Sequence, residues 1–493
     1  MKRALVLFLW LTVASTGSAQ IPQSEYAARR AALARLIGNG VVVAFGSPEP
    51  EEDYIAFNQN SPFNYLSGFS EPNAALIFQV KNGEIVGKAK LFVEANDPSR
   101  EVWTGSRLGL QGVESDLGLE ARESGTLLKV VDSLLTLDST TTLAVVGDYR
   151  PGRQILSETD QKIAVLTKRH PTVVARNATS AVAQLRRVKT PAELDLIRKA
   201  VAISVDAERE AMRYIEPGQN EFEVQSLIEY TFRRNGADRP SFSTIVGSGP
   251  NSTTLHYNAD DRFFDKNDVI VMDIGASYRG YSADVTRTVP ASGKFSAHQR
   301  AIYQAVRDAQ ASSERQAKLN AQGHLMGDSA SASINASLAK LGLIEAPGAM
   351  YDCDESGNRQ CEQSFLYYMH GVGHGIGLDV HDPGSAGGSG NPTALLVPGS
   401  AFTIEPGIYV RGNLLDIIPK TPRNQAMIAK IRPAVERYKN IGVRIEDDYI
   451  MTAQGLEWIS RAPREIGEIE ALMAQPWTGP AARDSTKIDW YRR

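Results

Sequence analysis

Two aspartates on a short hairpin are the feature that most constrains this chain. Residues 269–289, VIVMDIGASYRGYSADVTRTV, place β-branched runs before Asp273 and after Asp284, with a polar segment closed by glycine between them. This pattern predicts two antiparallel strands joined by a tight turn. With the turn centred on Tyr278 and Arg279, the two aspartates are predicted to lie directly opposite each other, with Cβ atoms about 5 Å apart. Carboxylates at that distance repel each other unless they share a proton or a metal ion.

Acids and histidines further along the chain favour the metal. His370 and His374 have the spacing of a zinc-binding helix, but the intervening glycines argue against a helix and predict a loop or irregular strand. Glu405 follows an alternating strand segment, and the proline after it favours extended backbone at the glutamate. Arg444 and Glu446 are two residues apart and are predicted to share one face of a strand.

Composition sets the broad class of the protein. The chain has 493 residues, of which 42% are hydrophobic and 22% charged, and its formal net charge is −4. These values are ordinary for a soluble globular protein of two or more domains. Because there is no basic excess to neutralise phosphates, the composition argues against nucleic acid as a partner.

The N-terminus has the three parts of a signal peptide. Lys2 and Arg3 precede an apolar run at residues 4–13, and small residues up to Ala19 offer a cleavage site. The run is too short for a membrane span, which needs about 20 apolar residues. We therefore expect residues 1–19 to be removed and the protein to be periplasmic or secreted, without insertion in a membrane.

The remaining chain divides into two predicted domains and a tail. Residues 20–180 alternate strand and helix patterns, which predicts a smaller α/β domain. Residues 181–470 begin with helices, including a capping box at Thr190, continue with strands and return to helices, which predicts an α+β domain. Asp328 is the expected N-cap of one of the later helices. Residues 471–493 are expected to form a C-terminal extension on the surface.

The order of motifs resembles a known family of enzymes. The segments DIG, a later aspartate, HGVGHGIGLDVHD, TIEPG and VRIEDD follow one another as they do in metallopeptidases of the pita-bread fold. Among these the chain most resembles Xaa-Pro aminopeptidase (aminopeptidase P) and Xaa-Pro dipeptidase (prolidase). The resemblance covers nearly the whole mature chain, because NYLSGF in the first domain matches the creatinase-like N-terminal domain of the same family.

The resemblance implies a centre with two metal ions. Its ligands would be Asp273, Asp284, His374, Glu405 and Glu446. Asp284 and Glu446 would bridge both ions, Asp273 would complete the shell of one, and His374 with Glu405 the shell of the other. A site so rich in oxygen suits Mn²⁺ best, with Co²⁺ or Zn²⁺ as alternatives.

The same resemblance implies roles around the metal ions. Glu405 would be the general base that carries the proton to the leaving amine. His256 and His381 would contact the substrate and stabilise the tetrahedral oxyanion. His370 would line the proline side of the pocket, and Arg444 would orient an acidic group near Glu446. The expected partners are peptides with proline at the second position, and the expected assembly is a homodimer or homotetramer.

Other functions remain open at this point. The interval between Glu405 and Glu446, lengthened by residues 411–441, is more typical of a dipeptidase. A metal-free hydrolase such as creatinase shares the fold, but lacks the carboxylate ligands, and a module that only binds peptides would also be expected to have lost them. Methionine aminopeptidase shares the ligands, but it does not have the large first domain.

Two cysteines lie in the segment YDCDESGNRQCEQ. In an exported protein, a pair as close as Cys353 and Cys361 is expected to form a disulfide, and the alternative is two free thiols on the surface.

Overall fold

The structure is a computed structural model that describes residues 21–52, 54–137, 142–383 and 393–480. The expected signal peptide, residues 1–19, lies outside the described residues, and so does the end of the expected extension, residues 481–493. Within the described ranges, no helix is both long and apolar enough to cross a lipid bilayer.

The first domain is built on a six-stranded sheet. Its strands are β1 (Gly40–Phe45), β2 (Ala75–Lys81), β3 (Glu84–Val93), β4 (Glu120–Glu123), β5 (Thr142–Val146) and β6 (Val174–Asn177). Its helices are α1 (Gln23–Ile37), α2 (Ser61–Ser67), α3 (Pro98–Thr104), α4 (Gly109–Gly112), α5 (Leu127–Leu137), α6 (Glu158–Arg169) and α7 (Thr179–Arg186). The strand order is β4-β3-β2-β1-β5-β6. All six residues of β1 are buried, because helices cover both faces of the sheet at its centre.

The second domain mixes long helices with several small sheets. Its helices are α8 (Pro191–Tyr214), α9 (Glu221–Arg234), α10 (Ala297–Gln316), α11 (His324–Leu341), α12 (Leu414–Ile417), α13 (Pro422–Tyr438) and α14 (Ile466–Met473). Its first strands are β7 (Arg239–Pro240), β8 (Ile245–Ser248), β9 (Val269–Ile274), β10 (Ala276–Tyr278), β11 (Tyr281–Ser282) and β12 (Val285–Pro290). Its later strands are β13 (Met350–Asp352), β14 (Gln360–Glu362), β15 (Ala401–Ile404), β16 (Gly407–Val410), β17 (Ile441–Arg444), β18 (Asp447–Thr452) and β19 (Gly455–Trp458).

Strand pairing brings distant parts of the second domain together. One sheet has the order β12-β9-β8, another the order β15-β18-β19, and β16 pairs with β17. The backbone N–H of Glu446, between β17 and β18, donates to the carbonyl of Thr286 in β12 at 3.0 Å. This bond joins the hairpin to the strands near the C-terminus.

Local sequence signals set the ends of the helices. The predicted capping box at Thr190 is present, with the side chains of Thr190 and Glu193 bonded to each other's backbone N–H. The predicted N-cap at Asp328 is wrong, because α11 begins a full turn earlier, after Gly323. Asp328 therefore lies within the helix.

The structure also corrects the register of the hairpin. The turn lies one residue later than predicted, at Arg279 and Gly280, which both have positive φ. Asp273 is consequently opposite Thr286 and not opposite Asp284. The later turn places a glycine at a position that needs positive φ, which the predicted turn did not. Because side chains alternate with a period of two, both aspartates still share one face, as diagonal neighbours.

Two features lie at the edge of the second domain. The sulfur atoms of Cys353 and Cys361 are bonded to each other and lie at the small β13–β14 ladder. In the expected C-terminal extension, Trp477 packs against Tyr214 with ring centroids 4.8 Å apart, and its indole N–H donates to Glu210. The described part of the extension therefore lies against α8.

Gly275 leads to a first prediction. A Cβ atom at this position would lie 2.0 Å from the carbonyl oxygen of Ala283 across the hairpin. We expect Gly275→Ala to lower the free energy of unfolding by about 1–3 kcal/mol, because neither backbone can give way without moving the aspartates. Gly467→Ala is the matched control, since a Cβ there meets open space on α14. Thermal unfolding of both variants tests this, and equal stability would contradict it.

Candidate metal centre and active site

Strand ends and one loop carry the five predicted ligands. Asp273 lies in β9, and Asp284 comes directly before β12. Glu405 directly follows β15, and Glu446 stands between β17 and β18. His374 lies in a loop whose backbone pairs with β15, since the N–H of Thr403 donates to the His374 carbonyl at 2.8 Å. The predicted absence of a helix at this histidine is confirmed.

The ligand atoms of these residues form overlapping groups. In each group, the atoms lie within 4.8 Å of one another. The groups are Asp273, Asp284 and Glu446; His374, Glu405 and Glu446; and Asp284, His374 and His381. Two of them share Glu446, so the arrangement offers two adjacent centres for cations.

Each of two buried carboxylates has one oxygen fixed and one oxygen free. Arg444 donates to Oδ2 of Asp273, and Thr286 donates to Oε2 of Glu446 at 2.7 Å. The other oxygens, Oδ1 of Asp273 and Oε1 of Glu446, are buried and make no hydrogen bond to any described residue. The same holds for Oδ1 of Asp284. Buried polar atoms normally have a partner, so these free oxygens fit a role as metal ligands.

The electrostatics of the cluster also fit cations. Burial, followed by the charges of neighbouring carboxylates, raises the pKa values of Asp284 and Glu446 well above their ordinary range. Burial raises the pKa of Glu405 to about 8, against the lowering effect of Arg444. Carboxylic acids so placed ionise less readily than they do in water, and a divalent cation between them would offset the free-energy cost of their ionisation.

His374 is held as a neutral ligand. Burial, together with the smaller effect of the nearby His381, lowers its pKa to about 4. Nδ1 of His374 lies 3.0 Å from the carbonyl of Gly375, to which it donates its proton. This hydrogen bond leaves the lone pair of Nε2 available to bind a cation. Nε2 lies 3.4 Å from Oδ2 of Asp284 and 3.5 Å from Oε1 of Glu405.

Two cavities meet at this cluster. The first has a volume of about 260 Å³ and is lined by Leu255, His256, Asp273, Asp284, His370, Gly371, Gly373, His374, His381, Glu405, Arg444 and Glu446. The second has a volume of about 250 Å³ and is lined by Phe242, Ser243, Ile245, His256, Asn258, Asp273, Asp284, Val380 and His381. His256 and His381 therefore stand at the boundary between the two cavities.

The remaining predicted residues lie around the first cavity. Nε2 of His370 lies 3.0 Å from the hydroxyl of Tyr409, and burial lowers the pKa of His370 to about 4. Arg444 is buried and donates to the same hydroxyl at 3.0 Å. The ring of His381 lies against that of His374, with centroids 4.0 Å apart. All the residues singled out for catalysis, substrate or metal thus meet in one place, whereas the cysteine pair lies elsewhere.

Sequence reasoning missed several residues that support the site. Thr286 and Tyr409 are uncharged and gave no signal, although one holds Glu446 and the other holds His370 and Arg444. Arg287 is fully buried, pairs with Asp447 at 2.6 Å and donates to the backbone carbonyl of Glu446 at 2.6 Å. The single arginine in VTRTV was the available signal, because an arginine in a buried strand needs a partner.

Comparison with known proteins identifies the family. The family model for metallopeptidase family M24 matches residues 195–453, and the model for the N-terminal domain of aminopeptidase P matches residues 26–143. The chain belongs to metallopeptidase family M24. It has the two-domain aminopeptidase P fold, with the pita-bread domain as the second domain, as the motifs predicted.

Relatives and solved structures cover nearly the whole chain. An Xaa-Pro aminopeptidase of Haemophilus influenzae is 32% identical over 465 residues, which are 92% of this chain and 98% of that protein. A human Xaa-Pro dipeptidase is 29% identical over 481 residues, 90% of this chain and 91% of that protein. The structure of aminopeptidase PepP of Pseudomonas aeruginosa is 30% identical, with a TM-score of 0.77, covering 93% of this chain and 99% of that one. This M24 protein is therefore a peptidase, and its family implies divalent metal ions.

The raised pKa values give a prediction for protein freed of metal by chelation. Below a pH of about 6.5 the histidines with lowered pKa, His370 and His374, oppose any effect of the carboxylates, because the unfolded chain protonates them more readily. Between pH of about 6.5 and 8, the folded protein holds a proton on Glu405 and favours the protonated forms of Asp284 and Glu446, whereas the unfolded chain has lost these protons. The free energy of unfolding should therefore fall as the pH rises through this window. Protein loaded with Mn²⁺ should lose less stability, since bound cations favour the ionised carboxylates. Thermal unfolding midpoints across this range measure both effects, and a stability of the metal-free protein that rises with pH would contradict the prediction.

Proposed function

We propose that this M24 peptidase is an aminopeptidase with two metal ions that releases the first residue of peptides whose second residue is proline. The observation that carries the proposal is the pair of overlapping donor groups that share Glu446. The relatives named Xaa-Pro aminopeptidases support the preference for proline.

The donor set suggests which residues hold the ions. We assign Asp273 to one ion, His374 and Glu405 to the other, and Asp284 and Glu446 to both. Four carboxylates and one imidazole favour Mn²⁺, with Co²⁺ or Zn²⁺ as alternatives. Two divalent ions bound there would supply a water of lowered pKa and polarise the carbonyl of the bond to be cleaved.

Glu405 is placed to move a proton. Its carboxylate lies at the wall of the first cavity, 3.9 Å from Nδ1 of His370 and 3.5 Å from Nε2 of His374. In our proposal it accepts the proton of the attacking water and returns it to the proline nitrogen as that nitrogen leaves. The step matters for an Xaa-Pro bond, because the amide before proline carries no N–H and its leaving nitrogen needs a proton.

Histidines would position the substrate across the two cavities. His256 and His381, at the boundary between the cavities, are assigned to the oxygen of the carbonyl under attack. His370, held by Tyr409, would contact the proline in the first cavity. The second cavity would then receive the side chain of the first residue, among Phe242, Ile245 and Val380.

A dipeptidase is the second candidate, because human Xaa-Pro dipeptidase is similar over nearly the same length. A dipeptidase must hold the carboxylate at the end of its substrate. The lengthened segment, residues 411–441, contains α12 and α13, and none of the described residues that line the two cavities comes from it. We therefore keep the aminopeptidase as the first candidate, supported by the relatives named Xaa-Pro aminopeptidases.

Hydrolysis of Ala-Pro-Ala and Ala-Pro tests this choice. The protein loaded with Mn²⁺ should release alanine from the tripeptide, and Glu405→Gln should lower kcat by about 10²- to 10⁴-fold because it removes the proton carrier. Asp284→Ala, measured together with metal content, is the control for dependence on metal. Cleavage of only the dipeptide would replace the aminopeptidase by the dipeptidase.

The second cavity predicts the preferred first residue. Its apolar wall of Phe242, Ile245 and Val380 favours leucine over glutamate, since a carboxylate there would lose its water. We expect Leu-Pro-Ala to exceed Glu-Pro-Ala in kcat/KM by about tenfold or more, as for about 1.4 kcal/mol. The ratio should shrink in Phe242→Ser, and an equal or reversed preference in the unaltered enzyme would contradict the assignment.

A further inference from the structure

The loop that carries His381 is held by an aspartate on each side. Asp379 and Asp382 both face Arg186, whose Nη2 lies 2.6 Å from Oδ2 of Asp379 and donates also to Oδ1 of Asp382. Lys189 adds a second cation, with Nζ 2.9 Å from Oδ2 of Asp382. The side chains of Arg186, Lys189 and Asp382 are 3%, 1% and 1% exposed, so these three groups of the ion cluster are shielded from water, whereas Asp379 is 45% exposed.

Both cations come from the connection between the two domains. Arg186 is the last residue of α7, and Lys189 precedes the cap of α8 by one residue. The first domain also reaches the loop directly. Ser61, at the start of α2, donates to Oδ1 of Asp379 at 2.6 Å and lies 3.3 Å from the carbonyl of Leu378. Residues separated by nearly 200 to more than 300 positions thus fix one short loop.

The backbone of Asp382 connects this ion cluster to the candidate metal centre. Its N–H donates to the carbonyl of Gly375 at 2.8 Å, next to the predicted ligand His374. His381, one residue earlier, projects an exposed ring that lies against the ring of His374. The direction of that ring therefore follows from the backbone that Asp382 fixes.

Buried ion pairs are a poor source of stability, because the cost of removing their water is close to the gain from their attraction. Two cations and two carboxylates beside the loop of His381 are better explained by the position that they impose on this loop than by a gain in stability. Displacement of a catalytic group by 1 Å can cost a hundredfold in rate, so a rigid support has a direct effect on activity.

We infer that Asp382 is a positioning residue, which Arg186 and Lys189 of the interdomain connection hold so that His381 meets the substrate. The inference rests on the proposed function, in which His381 contacts the carbonyl under attack. It assigns the connection between the domains a role in catalysis that neither the metal ligands nor the cavity lining requires.

A double-mutant cycle on the full-length enzyme loaded with Mn²⁺ tests the inference. Asp382→Asn should lower kcat/KM for Ala-Pro-Ala by about 10- to 100-fold, the usual effect of losing the partner that orients a catalytic group. Metal content should be unchanged. The double variant Asp382→Asn with His381→Ala should be within about twofold of His381→Ala alone, because Asp382 acts through His381.

Two further variants separate positioning from folding. Ser61→Ala removes a hydrogen bond to the loop without leaving a buried charge, and its loss of several-fold in kcat/KM should also vanish in the His381→Ala background. Asp352→Asn is the matched control. Asp352 is a buried carboxylate that accepts from Thr421 at 2.6 Å and lies 3.5 Å from Arg423, away from both cavities. Its loss should leave kcat/KM within about twofold of the unaltered enzyme.

The outcomes distinguish the inference from the proposed function. If the unaltered enzyme does not cleave Ala-Pro-Ala, the proposed function fails and the inference fails with it. If the unaltered enzyme cleaves the peptide but the losses from Asp382→Asn or Ser61→Ala multiply with that from His381→Ala, only the positioning role is overturned. Full activity of a folded Asp382→Asn variant would overturn it as well.

Discussion

The burial of several carboxylates within a few ångströms of one another is the constraint on which the rest of this structure depends. Asp273, Asp284 and Glu446 place ligand atoms within 4.8 Å, although each is at most 7% exposed. Like charges in a medium of low polarity repel strongly, so the chain must fix them from outside or neutralise them from within. Arg444 and Thr286 hold the carboxylates of Asp273 and Glu446 in place. The carboxylate oxygens without a hydrogen bond are available to cations, which would neutralise the charge.

A group of buried charged residues, Arg287, Asp447 and Arg464, holds the strands that carry these ligands. Arg287 bonds to Oδ1 of Asp447 and to backbone carbonyls of the segment after β19, and Arg464 donates to Oδ2 of Asp447 at 2.8 Å. Glu446 directly precedes Asp447, so its position follows from this pair. Two neighbouring acids of the segment IEDD therefore have different roles. Glu446 faces the candidate metal centre, and Asp447 anchors the strand behind it.

The histidines at the boundary of the cavities stand on loops that are anchored in a comparable way. The loop of His256 is tied to Glu221, a fully buried acid that accepts from the N–H of Ser248 at 2.7 Å and from the hydroxyl of Tyr257 at 3.1 Å. The loop of His381 is tied to the cluster around Asp382. Each loop thus presents an exposed imidazole from a backbone that a buried carboxylate holds.

The sequence by itself determined the types of the candidate ligands, their order along the chain and the start of α8, because these depend on residue chemistry and on local hydrogen bonds such as the cap at Thr190. It also placed Asp273 and Asp284 on one face, because the pairing differs from the prediction by two residues, and a shift of two leaves the side chains on the same face. The register itself, and the roles of Thr286 and Asp382, came only from the tertiary structure. The partners of Thr286 and Asp382 are more than 150 residues away, and contacts at that separation depend on how the whole chain packs.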